Sequence, residues 1–198
     1  MYLLGLTGNI ATGKSLVRQA LAERGAATVD ADALAHEVMR PGTDVFRRIV
    51  DRFGPAVVGP EGTLDRARLR GLVFQDARAL QDLERIVHPA VGALWRPRLE
   101  AQGRPVGVVE AIKLIEAGYH RECDELWVVT ARPEVQWARL VKVRGLAEEE
   151  AWRIIQAQPP QAEKVALADV VFPNDGDLAD LLAQVEREWQ RVRTLVGA

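Results

Sequence analysis

The sequence predicts an α/β fold: a five-stranded parallel sheet with helices on both faces, a three-layer sandwich. Three observations predict it. Apolar segments of strand length recur at Tyr2–Leu6, Ala27–Val29, Val106–Val109, Leu126–Val129 and Val170–Phe172. Stretches with apolar residues at helical spacing separate them, as strand–helix alternation in a parallel sheet requires. The first strand and first helix are joined by Gly8-Asn9-Ile10-Ala11-Thr12-Gly13-Lys14-Ser15, which fits G-x-x-x-x-G-K-[ST] at every fixed position.

Taken in order, the first helix runs from Gly13 to Arg24 on Leu16, Val17, Ala20 and Leu21, and Gly25 stops it. The second strand ends in Asp30-Ala31-Asp32, and Ala33 to Met39 reads as a helix before the Pro41-Gly42 break. Val45, Phe46, Ile49, Val50 and Phe53 keep helical spacing, and Gly54 to Gly62 is a loop. Leu69 to Phe74 and Leu80 to Val87 mark two more helices, and His88-Pro89 is expected to open another, through Leu99. The third strand ends at Glu110. Val135 to Val143 reads as a helix, Gly145 and Pro159-Pro160 bracket one more, and Leu178 to Leu195 closes the chain. The expected organisation is a nucleotide-binding core of residues 1–32, 103–136 and 165–198, a helical insert of 33–102, and a lid of 137–164.

The chemistry of the first loop explains its spelling. Phosphate oxygens need many donors at short range. Gly8 and Gly13 take backbone angles that a side chain forbids, so successive N–H groups can turn inward. The following helix aims its positive end at the same place. Lys14 would reach the β- and γ-phosphates, and the Ser15 hydroxyl would hold Mg²⁺.

Composition limits the alternatives. The chain has 198 residues, 48% of them hydrophobic, and a formal net charge of −2, which argues against a general nucleic-acid or membrane-surface binder. A single cysteine, Cys123, excludes an internal disulfide and a thiolate zinc cluster. His36, His88 and His120 lack metal-ligand spacing. No basic region precedes the N-terminal apolar run, and no apolar run approaches the roughly 20 residues that span a membrane. The expectation is a cytoplasmic monomer with no nucleic-acid or membrane partner.

In a parallel sheet, ligands sit outside the carboxyl ends of the strands. That edge collects Asp30, Asp32 and Glu110. Asp32 reads either as a base for an attacking hydroxyl or as a helix N-cap. Glu110 reads as a metal ligand through water or as a surface acid. Arg139 and Arg144, in a basic segment, read as closing over transferred phosphate or as a solvated helix face. Asn174-Asp175-Gly176 reads as a turn or as the place of a nucleotide base. Asp51-Arg52-Phe53-Gly54 matches D-x-x-G, but it lies in a helical pattern and no N-K-x-D accompanies it, so a nucleotide switch is the weakest alternative.

Together these residues resemble the dephospho-coenzyme A kinase family over nearly the full length. The resemblance is carried by Gly5 to Ser15, Asp30-Ala31-Asp32-Ala33-Leu34-Ala35-His36, and Leu83-Glu84-Arg85-Ile86-Val87-His88-Pro89. Arg139, Arg144-Gly145, Arg153-Ile154 and Gln158 fall where the family's lid does, and Ala168 to Gly176 is similar to its last strand. The resemblance implies a P-loop kinase-like fold and transfer of the ATP γ-phosphate, with Mg²⁺, to the ribose 3′-hydroxyl of dephospho-coenzyme A. It implies that Asp32 is the base, that Lys14, Arg139 and Arg144 are catalytic, and that Gly8 to Leu16, Arg139 and Asn174 hold ATP. It puts Thr7, Asp32, His36, His88 and Glu110 on the acceptor side. Another nucleotide or small-molecule kinase on the same fold is the alternative.

Four departures stand out. Ala11 replaces a usual glycine, so that position must take an angle alanine tolerates. Leu16 replaces a usual threonine. Glu110 to Glu116 stands where the family has an acid, then Pro-Leu-Leu and an aromatic, with Lys113 in place of the proline. Ala147 replaces a hydroxyl cap of the lid helix, a loss of about 1 kcal/mol that predicts a more mobile lid.

Overall fold

The computed structural model describes residues 1–197. In chain order the elements are β1 (Tyr2–Thr7), α1 (Lys14–Glu23), β2 (Ala27–Asp30), α2 (Ala31–Val38), α3 (Asp44–Phe53), α4 (Arg66–Gln75), α5 (Ala77–Glu100), β3 (Val106–Glu110), β4 (Glu125–Thr130), α6 (Pro133–Lys142), α7 (Glu148–Gln156), α8 (Gln161–Val165), β5 (Val170–Pro173) and α9 (Leu178–Val196). The sheet has the order β2-β3-β1-β4-β5. β1 pairs in parallel with both β3 and β4, and β4 with β5. The order of the strands therefore reverses beside β1, so the loop after β1 opens at the switch point where such sheets bind ligands.

Alternation along the strands builds the core. Leu4 and Leu6, Val106 and Val108, Trp127 and Val129, and Phe172 point to one face, where they pack with Val17 and Leu21 of α1 and Leu181, Val185, Trp189 and Val192 of α9. Trp127 meets Phe172 edge-on, with centroids 5.2 Å apart. On the opposite face Gly5 leaves room that Leu114 and Cys123 fill, since a Cβ there would lie 3.1 Å from each.

The chain divides into two compact units, residues 1–29 with 99–198, and residues 30–98. The lid residues expected at 137–164 fall within the first. The second unit is helical, and polar caps start its helices. Ala33 N–H donates to Asp30 Oδ1, Phe46 N–H to Thr43 Oγ1 and Arg68 N–H to Asp65 Oδ1. One expectation fails here. His88-Pro89 does not open a helix, because α5 runs on through both Pro89 and Pro97. Proline removes one N–H donor and one i→i−4 bond, and a 24-residue helix absorbs that loss without ending. Among the described residues no helix is long and apolar enough to cross a membrane.

Candidate active site

The loop between β1 and α1 is wrapped so closely that its glycines have no substitute. A Cβ on Gly8 (φ 150°) would lie 2.2 Å from the Val129 carbonyl oxygen, and one on Gly13 (φ 103°) 2.2 Å from Asn174 Nδ2. Ala11 is left-handed at φ 57°, the one non-glycine so placed among the described residues. For a residue with a Cβ that conformation costs roughly 1–2 kcal/mol. Inside the loop, Thr12 Oγ1 donates to the Asn9 carbonyl at 2.9 Å and Lys14 Nζ to the same oxygen at 3.1 Å. Lys14 is buried at the first turn of α1, with its ammonium curled over the loop.

Beside Lys14 lies a carboxylate. Glu110, the last residue of β3, is buried, and Ser15 Oγ donates to its Oε1 at 3.1 Å. Arg18, one turn along α1, donates from Nε to Oε2 at 2.6 Å. The strand-end acid therefore stands against the loop's hydroxyl and is not a surface group. Thr7 does different work. Its hydroxyl donates to the carbonyls of Ala111 and Ile112 at 2.8 and 3.1 Å, which ties the end of β1 to the loop after β3. That side chain is buried, and its hydrogen is committed to the backbone.

Two residues expected to meet the nucleotide also support the loop. Arg139 of α6 donates to the carbonyls of Ala11 (3.1 Å), Thr12 (3.3 Å) and Asn174 (2.9 Å). Carbonyls of a loop whose amides serve an anion point away from that anion. In this structure Arg139 thus grips the back of the loop. Burial lowers its pKa from the ordinary value, while Asp175 acts in the other direction. Asn174, implied near adenine, is buried, and its Nδ2 donates to Thr12 O at 2.7 Å. Arg144 is exposed in the turn after α6 and Leu16 is exposed on α1, so neither joins this cluster.

Sequence reasoning named Gln158 and Pro159-Pro160 in the segment that follows α7 but missed its contacts and the roles of Gln161 and Lys164. Gln158 Oε1 accepts from Ile10 N–H at 2.7 Å, and Asn9 Nδ2 donates to the Pro159 carbonyl at 3.0 Å. Gln161 brackets Ala131, accepting from its N–H and donating to its carbonyl. Lys164, itself buried, donates to the Ile112 carbonyl at 2.8 Å and pairs with Glu116 at 3.2 Å. These partners are up to 150 residues apart in sequence, and no local spacing encodes them.

In the helical unit, Asp30 takes the N-cap of α2, so Asp32 is not needed for that bond. Asp32 sits in the first turn of α2, and His36 follows on the same face one turn later. Desolvation and the Arg66 charge lower the His36 pKa, and Asp32 and Asp30 pull it back up. His88 is half-buried within α5.

Comparison with known proteins bears on this arrangement. The family described as Dephospho-CoA kinase matches residues 2–180. The chain is 47% identical over 193 residues to the dephospho-CoA kinase of Symbiobacterium thermophilum, covering 96% of this chain and 81% of that one. It is 41% identical to that of Geobacter sulfurreducens, covering 96% and 98%. Among solved structures, TT1252 from Thermus thermophilus superposes with a TM-score of 0.81 at 34% identity, covering 98% of this chain and 96% of that one. A shikimate kinase from Bacteroides thetaiotaomicron superposes at 0.54 and 18% identity, covering 100% and 99%, and shares the fold.

Proposed function

The chain belongs to the dephospho-CoA kinase family, and from that premise we propose that it transfers the γ-phosphate of ATP to the ribose 3′-hydroxyl of dephospho-coenzyme A. The products are coenzyme A and ADP, and the reaction is the final step of coenzyme A biosynthesis. The observation that carries the reading is the family match across residues 2–180, within which the phosphate loop and the Asp30-Ala31-Asp32 run are intact.

Residue roles follow from the chemistry. Phosphoryl transfer is mostly positioning and charge stabilisation. Residues Gly8 to Leu16 would cradle the phosphates of ATP, through loop amides other than that of Ile10, which donates to Gln158, and Lys14 would leave the Asn9 carbonyl for the β- and γ-phosphates. Mg²⁺ fits the pair beside it. There the Ser15 hydroxyl would hold the ion, and Glu110 would reach it through a water. The Ser15 hydroxyl and the Glu110 carboxylate oxygen are separated by 3.1 Å. When bound, the ion neutralises charge on the phosphates. Asp32 would accept the proton of the attacking hydroxyl, a role supported by Asp30 having taken the cap. His36, His88 and the rest of residues 30–98 form the acceptor-binding region in this reading, and residues 137–164 form the lid. Arg144 is its closing arginine, since the donors of Arg139 already serve the loop. We place the enzyme in the cytoplasm as a monomer, with ATP and dephospho-coenzyme A as its partners.

A coupled assay tests this. ADP formation should require dephospho-coenzyme A, and Asp32→Asn should lower kcat by at least 10²-fold through loss of general-base help. No ADP above the acceptor-free blank would overturn the activity, and full rate in the variant would overturn the base.

A further inference from the structure

We propose that Gln158 is a positioning residue for phosphoryl transfer, holding the first half of the phosphate loop in its anion-binding shape and coupling that loop to the lid helix. The proposal rests on the ATP-dependent reading above.

The contact is specific in geometry and place. Each backbone N–H in a buried loop needs a partner. At Ile10 the partner is the side-chain carbonyl of Gln158, at 2.7 Å. The other end of the same planar amide donates to the Ile154 carbonyl, in the last turns of α7, at 3.3 Å. One rigid side chain thus sets the register between the phosphate loop and the lid helix. A second bond runs alongside, from Asn9 Nδ2 to the carbonyl of Pro159. Two consecutive loop residues are therefore held by two consecutive residues at the base of the lid.

The base itself is fixed. Pro159-Pro160 restricts the backbone. Gln161 is bonded to both the N–H and the carbonyl of Ala131, just past β4. Lys164 is anchored on the Ile112 carbonyl and on Glu116, beyond β3. Residues 158–164 are thus tied to the ends of three neighbouring strands, and Gln158 is where that anchored strap meets α7. Inside the loop, Ala11 holds a left-handed angle that alanine disfavours. A loop under such strain keeps its shape only when its surroundings over-determine it. Gln158 and Asn9 supply that constraint on one flank, Arg139 and Asn174 on the other.

The consequence is separable from overall stability. A preset loop gives up little freedom on binding phosphate, whereas a loosened loop must be ordered by the nucleotide. Gln158→Met keeps the length of the side chain and removes the acceptor; Gln158→Ala, run in parallel, covers a misfit of the thioether. Amide exchange at Ile10 in the ligand-free protein should speed up at least tenfold. The Kd for ATP with Mg²⁺, measured by titration without acceptor, should rise roughly tenfold, the worth of one neutral hydrogen bond. The KM for dephospho-coenzyme A should stay where it is, and the melting midpoint should fall by no more than about 2–4 °C. Unchanged exchange at Ile10 would overturn the contact. Faster exchange with an unchanged ATP Kd would overturn the positioning role. If wild type forms no ADP with the acceptor, the functional reading fails, while the ATP titration still decides the claim about Gln158.

Discussion

Two buried glutamates stand at opposite ends of the sheet, Glu110 closing β3 and Glu125 opening β4, and they are spent differently. An ionised carboxylate offers about four acceptor sites. At Glu125 four donors fill them. Tyr2 Oη (2.7 Å) and Arg191 Nη1 (2.8 Å) donate to Oε1, and Trp127 Nε1 (2.8 Å) and Arg191 Nη2 (2.5 Å) to Oε2. At Glu110 two donors are present among the described residues, the Ser15 hydroxyl on one oxygen and Arg18 Nε on the other. A saturated carboxylate holds structure together. An unsaturated one beside a phosphate loop keeps room for a cation or its water. In the function proposed above, the difference separates a group that serves the fold from one that would serve the chemistry, although both are acids at strand ends.

The largest expected break in this comparison is Glu110→Gln. Its amide can still accept from Arg18 and donate to the Ser15 oxygen, so the melting midpoint should hardly move. As a neutral ligand it serves Mg²⁺ poorly, and kcat/KM for ATP should fall about 10²-fold, with more Mg²⁺ needed for half-maximal rate. A Mg²⁺ titration of initial rates reads this. An unchanged Mg²⁺ requirement with a raised acceptor KM would move Glu110 to the acceptor side.

Glu125→Gln should do the reverse. One end of an amide can replace a carboxylate oxygen, but its NH₂ would then face an Arg191 nitrogen in either orientation, and Trp127 Nε1 as well in one of them. Removing one partner of a buried ion pair costs several kcal/mol. With the Arg191 side chain 40% exposed, about 2 kcal/mol is expected here, lowering the melting midpoint by about 4–8 °C. Acceptor-dependent ADP formation at 25 °C should stay within about twofold, since the site is at the other end of the strands. The same network sets an acid limb. The paired Arg191 and the bonds from Trp127 and Tyr2 hold the Glu125 carboxyl at about 2, below its usual 4.5. A carboxylate whose pKa falls on folding adds stability that is complete above the unfolded value. That share is lost as pH drops from about 4.5 through about 2. Denaturant melts of wild type and Glu125→Gln should therefore converge over that range, and parallel curves would remove Glu125 from the acid response. At the alkaline side, burial and then the Glu125 carboxylate push the Tyr2 hydroxyl up to about 12, so it stays a donor throughout.

Gly8, Gly13, Lys14 and Ser15 were legible because a phosphate cup is a local object: its donors, its turn and its helix lie within a dozen residues. The strands were legible for a similar reason, as apolar runs at intervals. What props the cup was not. Arg139, Asn174 and Gln158 reach the loop from 127 to 162 residues away, and their polar spelling reads equally as lid, turn or solvated face. The resemblance singled out all three but not what they touch. It suggested phosphate for Arg139 and adenine for Asn174, whereas both hold loop backbone. The cap illustrates a finer limit. Asp30 and Asp32 are both sound N-cap residues, and only the observed start of α2 at Ala31 assigns the cap to Asp30. Pro89 misled for the opposite reason, as a strong local signal overruled by the continuity of a long helix.

The smallest expected effect lies inside the cup itself. Ala11 pays roughly 1–2 kcal/mol for its left-handed angle, and glycine would not. Glycine also widens the unfolded ensemble, which returns about 0.4–1 kcal/mol of that gain. Ala11→Gly should therefore raise the melting midpoint by no more than about 6 °C. The Arg139 bond to the Ala11 carbonyl uses backbone and survives the change. If the midpoint falls instead, the Ala11 methyl is packed to advantage and the strain is already compensated. If it rises while the ATP Kd also rises, rigidity at this position was serving the nucleotide. The cup would then belong with Glu110, among the parts of this molecule that give up stability for chemistry, and not with the saturated network around Glu125.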